Sequence, residues 1–428
     1  MSENQPYVKW FRDSSPYINA HRNRTFVLYL GGATLDHDNF PNIVSDIVLL
    51  HSLGVKLVVV HGAAPQIDQH LAALGLTTAF VDGIRVTTAE VLPAVQYAIG
   101  KIRTDVEARL SMGLVNSPLH GSDIVVTSGN FLRARPFGVR DGVDYCHTGE
   151  VRRVNANAIR RQLDSGAIVL VSPLGYSPAG EVFNINSLDV AAEVAIALMA
   201  DKLVFFTEDD GVRDEQGEVI SELQVSAIPG EGLDQLSPLA QAKRACVKGV
   251  PRCHLISHHS DGALLEELFT RDGAGTQVTR QSYEQIRAAR PDDVAGIIEL
   301  ITPLEAEGVL VKRPRELLES EISHFTVIER DGMIVSCAAL YPFNDRGELA
   351  CLATHPDYRN NDRGERLLQQ IEANARAQHM KAIFVLTTRT AHWFLERGFT
   401  PTRVEDLPDA RRNLYNWQRN SKLFEKRL

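Results

Sequence analysis

The side chains whose types and spacing could do chemistry gather in the last third of the chain. Cys351-Leu-Ala-Thr354 reads as the end of a strand, His355 to Asp362 as a loop, and Arg363-Gly-Glu-Arg-Leu-Leu368 as the start of a helix. Such a junction aims several backbone N–H groups and the positive end of a helix at one point, which suits a pyrophosphate. Two basic clusters accompany it: Lys312-Arg313-Pro-Arg315, and a tail with Arg411, Arg412, Arg419, Lys422, Lys426 and Arg427 opposed only by Glu425. Substrate carboxylates call for guanidinium groups. Most members of such runs are solvated, so only a few would meet a ligand.

The elements that must position these groups alternate regularly. Residues 26–30 read as a strand followed by Gly31-Gly32 and a helical pattern over 40–53; residues 56–61 run into Gly62-Ala-Ala-Pro65 and another helix. Apolar, β-branched strands without alternation, each followed by an amphipathic helix, predict βαβ units on a parallel sheet covered on both faces. The theme returns in strands over 167–171, 202–206 and 253–256 and helices over 188–200 and 263–269. Gly273-Ala-Gly275 and Thr279-Arg-Gln-Ser282 read as a linker, with the first domain closing near Thr276. Pro291 then opens a new helix. Residues 325–329, 333–341 and 348–354 read as successive antiparallel strands, the first two joined by the Arg330-Asp331-Gly332 turn. A helix over 363–378, a strand over 382–386 and a short helix around Trp393 follow. The expected organisation is an arm over 1–24, an α/β domain over 25–280 and an α+β domain over 281–428.

Composition narrows the function classes. The 428 residues carry 45 Lys+Arg against 54 Asp+Glu, a net charge of -9, so the whole-protein footprint of a nucleic-acid or anionic-membrane binder is missing. The most apolar run, 190–206, is interrupted by Glu193, Asp201 and Lys202 and falls short of the roughly 20 apolar residues of a membrane span. The opening stretch holds Lys9, Arg12, Asp13 and Arg22 but no apolar core of a signal peptide. The reading is cytoplasmic. Cys146, Cys246, Cys253, Cys337 and Cys351 show no paired or zinc spacing, which predicts reduced, buried thiols and no metal.

The loop matches a known pattern. Arg359, Asp362 and Gly364 stand at the positions of Gln/Arg-x-x-Gly-x-Gly/Ala, and the strand ending Leu386-Thr-Thr388, the next helix and Glu396-Arg-Gly-Phe399 follow in order. The second domain thus resembles the GNAT acetyltransferases, with Asp362 replacing the first glycine. The resemblance implies acetyl-CoA as co-substrate, held by Leu352, Ala353, Thr354, Arg359, Asn361, Asp362, Arg363 and Gly364. The chemistry it implies is attack of an amine on a thioester, for which an α-ammonium must first lose a proton. Glu348 is the candidate general base; the alternative, a surface carboxylate ending a strand after Gly347, stays open. A tyrosine that many GNAT enzymes use as acid is replaced by Phe394, so Thr387 or Thr388 is left to protonate the thiolate, or both merely end a strand.

The first domain resembles the amino-acid kinase family: Gly31-Gly32, His61-Gly62, Gly83-Ile-Arg85-Val-Thr87, Asn184-Ile-Asn186 and Ala263 to Thr270 with Gly273-Ala-Gly275 occur in the family's order. The family's two phosphoryl-stabilising lysines have no counterpart, since Tyr29 holds the first place and residues 229–243 lack the second motif. Asp189 stands near the place of the catalytic aspartate. A kinase fold without its cations suggests a sensor. Arginine-inhibited members imply an effector site at Tyr17, His254, Glu267 and Gly273, with Glu267 pairing the effector's guanidinium and Tyr17 covering it.

Both domains in this order, with Tyr17-Ile-Asn, His51-Ser-Leu-Gly54, Ser128-Gly-Asn130, Asp144-Tyr-Cys-His147 and Arg252-Cys-His-Leu-Ile256, resemble the bacterial N-acetylglutamate synthases over nearly the whole chain. That resemblance implies acetyl transfer from acetyl-CoA to the α-amine of L-glutamate, the first step of arginine biosynthesis, with L-arginine as inhibitor. By position it assigns substrate binding to Arg313, Arg411, Arg419 and Ser421. A homo-oligomer is expected, for which the early aromatics Tyr7, Trp10 and Phe11 would serve. A bifunctional synthase and kinase, an amino-acid sensor with an inactive acyl-CoA domain, and a protein acetyltransferase are the competing readings.

Overall fold

Segments such as Phe-Val-Leu-Tyr-Leu and Leu-Val-Val-Val are stable as strands only where both faces are covered. The computed structural model describes residues 6–113, 123–230, 232–270, 273–280, 284–330, 332–359, 363–416, 419 and 421–428. The chain divides into two units, Met1–Gln281 and Ser282–Leu428.

In the first unit, β1 (Thr25–Leu30), β2 (Lys56–His61), β3 (Val126–Ser128), β4 (Ile168–Val171), β5 (Lys202–Thr207), β6 (Glu222–Gln224), β7 (Arg252–Ser257) and β8 (Thr276–Thr279) form one sheet in the order β6-β8-β7-β5-β1-β2-β4-β3. Only β8 against β7 is antiparallel. Alternate residues feed two cores: Leu28, Val59 and Leu170 on one face, Val27, Val58 and Val169 on the other. Four short strands, Leu132–Pro136, Thr148–Val154, Leu174–Tyr176 and Val182–Ile185, close into a small barrel that the sequence reading missed.

The division at Gln281 falls inside the expected linker stretch 279–282, but Gly273 to Thr279 belong to the first unit. Thr279 ends a buried inner strand, and the backbone at Gly275 lies so close to the Leu255 carbonyl that a Cβ would meet it at 2.1 Å. The helix Pro6–His21 of the expected arm packs on the same unit, through Ser14 Oγ donating to the Phe269 carbonyl at 3.2 Å and the His21 ring 2.7 Å from the Leu268 carbonyl.

Three histidines of this unit are held neutral. Burial pushes His21, His61 and His254 down to about 4, with Lys202 adding to the effect at His21 and His254. Above the ordinary histidine value of about 6.5 folded and unfolded chains are both neutral. Below it the unfolded chain takes up protons that the folded chain refuses until about pH 4, so this stability is lost as pH falls through that window. Thermal unfolding should therefore shift downward between pH 6.5 and 4, and His61→Gln should shallow the slope.

The second unit has a sheet of β9 (Glu284–Ala288), β10 (Phe325–Arg330), β11 (Met333–Phe343), β12 (Arg346–Thr354), β13 (Ala382–Thr387), β14 (Thr400–Thr402) and β15 (Lys422–Arg427), ordered β9-β10-β11-β12-β13-β15-β14. Helix Val294–Ala306 covers one face through Ile297 and Ile301, and helix Arg363–Ala377 the other through Leu367 and Ile371. Among the described residues, no helix is long and apolar enough to cross a membrane.

Candidate functional site

β12 and β13 run parallel and pair only from Arg346↔Ala382 to Leu349↔Val385, although they continue to Thr354 and Thr387. Cys351 has φ 53°, and the pairing of β11 with β12 shifts register beside it. Such a bulge bends a strand away from its neighbour. A cleft of about 440 Å³ opens where the strands part. The released edge of β12 offers N–H and C=O groups to an extended, amide-bearing chain. Helix Arg363–Ala377 brings its N-terminal turn, with Gly364, to the same cleft.

Of the residues expected to hold acetyl-CoA, Leu352, Thr354, Arg359, Arg363 and Gly364 line the cleft. Ala353 packs into the core beneath helix Val294–Ala306, and Asn361 and Asp362 lie outside the described residues. Arg363 is not a phosphate-directed cation: it is buried, its Nη2 lies 2.5 Å from Glu284 Oε1, and its Nη1 donates to the Tyr358 carbonyl at 3.1 Å. A guanidinium this enclosed needs a carboxylate partner, and here it fixes the start of the helix. Thr390, Trp393 and Arg397 also line the cleft and were missed. Arg397 stacks 4.1 Å above the Trp393 ring, and its buried Nε has no partner among the described residues.

Glu348 is buried on β12, one residue before the strands part, and not at the surface. Arg411, expected to meet substrate, clasps it instead, Nε to Oε2 at 2.5 Å and Nη2 to Oε1 at 3.0 Å. A fork of this kind fixes both carboxylate oxygens yet leaves each a further lone pair. Thr387 is buried in the cleft wall; its Oγ1 accepts from Thr390 N at 3.1 Å and lies 2.8 Å from Thr390 Oγ1. The two hydroxyls form one unit, while Thr388 is exposed and lies outside the lining. Phe394 is buried against Phe399.

Arg313 and Arg419 carry no salt bridge to a carboxylate among the described residues, unlike Arg411. Burial and the Arg313 charge both push the Arg419 guanidinium down from its usual value. Its Nη2 donates to the Val309 carbonyl, in the cleft wall, and its buried Nε has no partner among the described residues. The two guanidiniums thus share one field, and Arg419 keeps an unused donor in it. Ser421, buried, follows on the same segment, its carbonyl accepting from Tyr415 at 2.9 Å. Cys351 lines the cleft as well; the Cys337 thiol pulls it down, against burial and with help from Arg313. Of the five cysteines, Cys146 alone is exposed, contrary to expectation.

In the first unit, His254, Glu267 and Gly273 come together. His254 Nδ1 lies 2.5 Å from Glu267 Oε1, and Lys202 Nζ lies 3.3 Å from His254 Nε2. An ammonium only donates, so Nε2 carries the lone pair and Nδ1–H donates to Glu267. Burial opposes ionisation of Glu267, but His254 and the Ala274 N–H hold its carboxyl below the usual value. The Ala274 and Gly275 N–H groups reach Glu267 Oε2 at 2.7 and 3.1 Å. Gly273 has φ +68°, and a Cβ there would lie 2.4 Å from Glu267 Oε2. Tyr17 is on the helix Pro6–His21, its ring 6.4 Å from that of His21.

Asp189 is tied up. Arg244 Nη2 binds its Oδ1 at 2.6 Å, while Nη1 binds Glu193. Tyr29, in the lysine's place, is buried with its hydroxyl 3.1 Å from Ser187 Oγ. A carboxylate locked to a guanidinium, beside a phenol where a cation is needed, is poorly equipped for phosphoryl transfer.

Residues 24–257 match the amino acid kinase family and residues 321–401 the acetyltransferase (GNAT) domain. The amino-acid acetyltransferase of Ectopseudomonas mendocina is 56% identical over 99% of both chains, and that of Azotobacter vinelandii is likewise 56% identical over 99% of each. The N-acetylglutamate synthase of Neisseria gonorrhoeae, complexed with coenzyme A and L-arginine, is 37% identical, covers 99% of this chain and 100% of its own, and superposes with a TM-score of 0.89. The same enzyme complexed with coenzyme A and N-acetyl-glutamate is 38% identical over the same shares, with a TM-score of 0.63. A unit with a parted β12–β13 pair and a kinase-type unit lacking that family's two phosphoryl-stabilising lysines are thus matched over 99% of the chain by enzymes of one kind, and the protein belongs to the amino-acid acetyltransferase family.

Proposed function

We propose that the chain transfers acetyl from acetyl-CoA to the α-amine of L-glutamate and that L-arginine, bound by the kinase-type unit, inhibits it. The observation that carries the reading is the parting of β12 from β13 beside Glu348, with Arg313 and Arg419, neither of them salt-bridged to a carboxylate among the described residues, available for the two substrate carboxylates. Pantetheine would lie along the released edge of β12, its pyrophosphate at the turn holding Gly364, with Arg359 at the rim. Glu348 would take a proton from the α-ammonium, directly or through a water. The amine then attacks the thioester carbonyl; the N–C bond forms, the C–S bond breaks, and the second proton of the attacking nitrogen passes to the departing sulfur through the Thr387 and Thr390 hydroxyl pair, which ends the step neutral. A thiol pKa of about 8.5 makes that a mild demand. Arg411 positions Glu348. Ser421 would bind substrate beside Arg419.

L-Arginine would meet Glu267 with its guanidinium, with Tyr17 as the cover and the Gly273 turn admitting its backbone. Self-association belongs to the same reading, with the exposed Trp10 and Phe11 as docking residues.

The test is release of free CoA thiol from acetyl-CoA with L-glutamate against a panel of amino acids and polyamines, with and without arginine. Turnover with glutamate that falls as arginine rises is expected, with no ATP-dependent phosphorylation of acetylglutamate. Tyr17→Ala should raise the arginine concentration for half-inhibition about tenfold, as loss of roughly 1.4 kcal/mol implies, and leave uninhibited turnover intact. Turnover with another amine would overturn the substrate, and phosphorylation would overturn the sensor role.

A further inference from the structure

Three histidines and a carboxylate converge at the C-terminal ends of adjacent strands of the first unit. His258 and His259 follow β7, Glu208 follows β5, and His37 follows the short helix Gly32–Asp36 that succeeds β1. The three rings bring one nitrogen each within 4.8 Å of the other two. Their centroids are 4.4 to 5.0 Å apart. The amino-acid acetyltransferase reading uses none of these residues. Neutral imidazoles in a group of three are the donor set of zinc and its neighbours in the first transition row.

We infer that His37, His258 and His259 bind a divalent transition-metal ion, with Glu208 orienting His259 from behind. The hydrogen bonds around the rings fit this assignment. His259 Nε2 lies 3.1 Å from Glu208 Oε2, so Nε2–H donates and Nδ1 carries the lone pair, a carboxylate–histidine arrangement that recurs behind metal ligands. His258 Nδ1 lies 3.3 Å from Thr34 Oγ1, which leaves as the ligand atom Nε2, itself 3.6 Å from the Glu208 Oε2 that also meets His259.

His37 is the adjustable member. Its Nδ1 accepts the Asn39 N–H at 3.1 Å, so in the metal-free protein its proton sits on Nε2, 2.8 Å from His259 Nδ1. Binding moves that proton to Nδ1 at the expense of the Asn39 bond. It also parts the two nitrogens to the roughly 3.3 Å that tetrahedral bonds of about 2.0–2.1 Å require.

The backbones that present the ligands are already fixed. Asn39 Nδ2 donates to the His258 carbonyl at 3.0 Å, and Ser257 Oγ bridges the two strand ends by accepting from His259 N and donating to the Glu208 carbonyl. His259 and Glu208 are exposed, which gives an ion a way in. The expectation of no metal rested on cysteine spacing, a test blind to histidines brought together from segments more than 200 residues apart in the chain.

The experiment uses the full chain, freed of any polyhistidine tag and stripped with a chelator, titrated with Zn²⁺ by calorimetry, and with Co²⁺ followed by visible absorption. One equivalent of Zn²⁺ and a tetrahedral Co²⁺ spectrum are expected. Glu208→Gln should weaken binding about 10- to 100-fold, and His259→Ala by at least as much, both without change in the far-ultraviolet circular dichroism. Absence of binding would overturn the site. So would an unchanged affinity in both variants, or binding abolished by cysteine alkylation alone.

Discussion

Glu348→Gln is expected to lower kcat for acetylation of glutamate by about 10²- to 10⁴-fold, the usual worth of a positioned general base. The substitution keeps the shape of the side chain and one acceptor for Arg411, so the loss reports on proton acceptance. KM for acetyl-CoA should change little, because the cleft wall formed by Leu352, Thr354 and Gly364 is untouched. A variant with wild-type kcat would move the base elsewhere. Glu348→Ala is a poorer test, since it leaves Arg411 partly buried without its counter-ion, and such losses cost several kcal/mol.

Arg419→Ala should raise KM for glutamate by about 10- to 100-fold, equivalent to the roughly 1.5–3 kcal/mol of a hydrogen bond to a charged group, with KM for acetyl-CoA unchanged. Arg419 is the better probe of the pair because its Nε is unused, whereas Arg313 is partly supported by Tyr341. Arg419→Lys should recover only part of the loss, as an ammonium cannot supply the planar fork that matches a carboxylate. An Arg419→Ala enzyme with unchanged KM for glutamate would remove it from the substrate site.

Much of this architecture was legible because its signals are strong and local. The buried parallel strands of the first unit announce themselves as unbroken apolar runs, and the helix Ala263–Phe269 came out with the same bounds. The barrel strands escaped because they are short and carry charges, as in Leu-Arg-Ala-Arg-Pro. β15 escaped for a sharper reason. Lys422-Leu-Phe-Glu-Lys-Arg reads as a basic tail, but Leu423 and Phe424 are buried and Lys426 binds Glu372 at 2.6 Å, so charges expected to await substrate serve the sheet. At the site, residue types were readable and pairing was not. Nothing in spacing distinguishes Arg411, spent on Glu348, from Arg419, left open, because partners so far apart along the chain meet only in the fold. Gly273 to Gly275 looked like a linker since glycine marks both loose joints and close approaches; here it marks the second.

The place of β15 has a consequence for how the protein is made. It lies between β13 and β14, in the interior of the sheet, yet the ribosome reaches residues 422–427 after every other strand of that sheet. Until they arrive, β13 presents an open edge that other chains could extend. Arg419 and Ser421 arrive on the same stretch, so completing the sheet and installing the carboxylate grip are one event. On the proposed reading, a chain that has not yet added this stretch would have Arg313 alone to meet a substrate carboxylate.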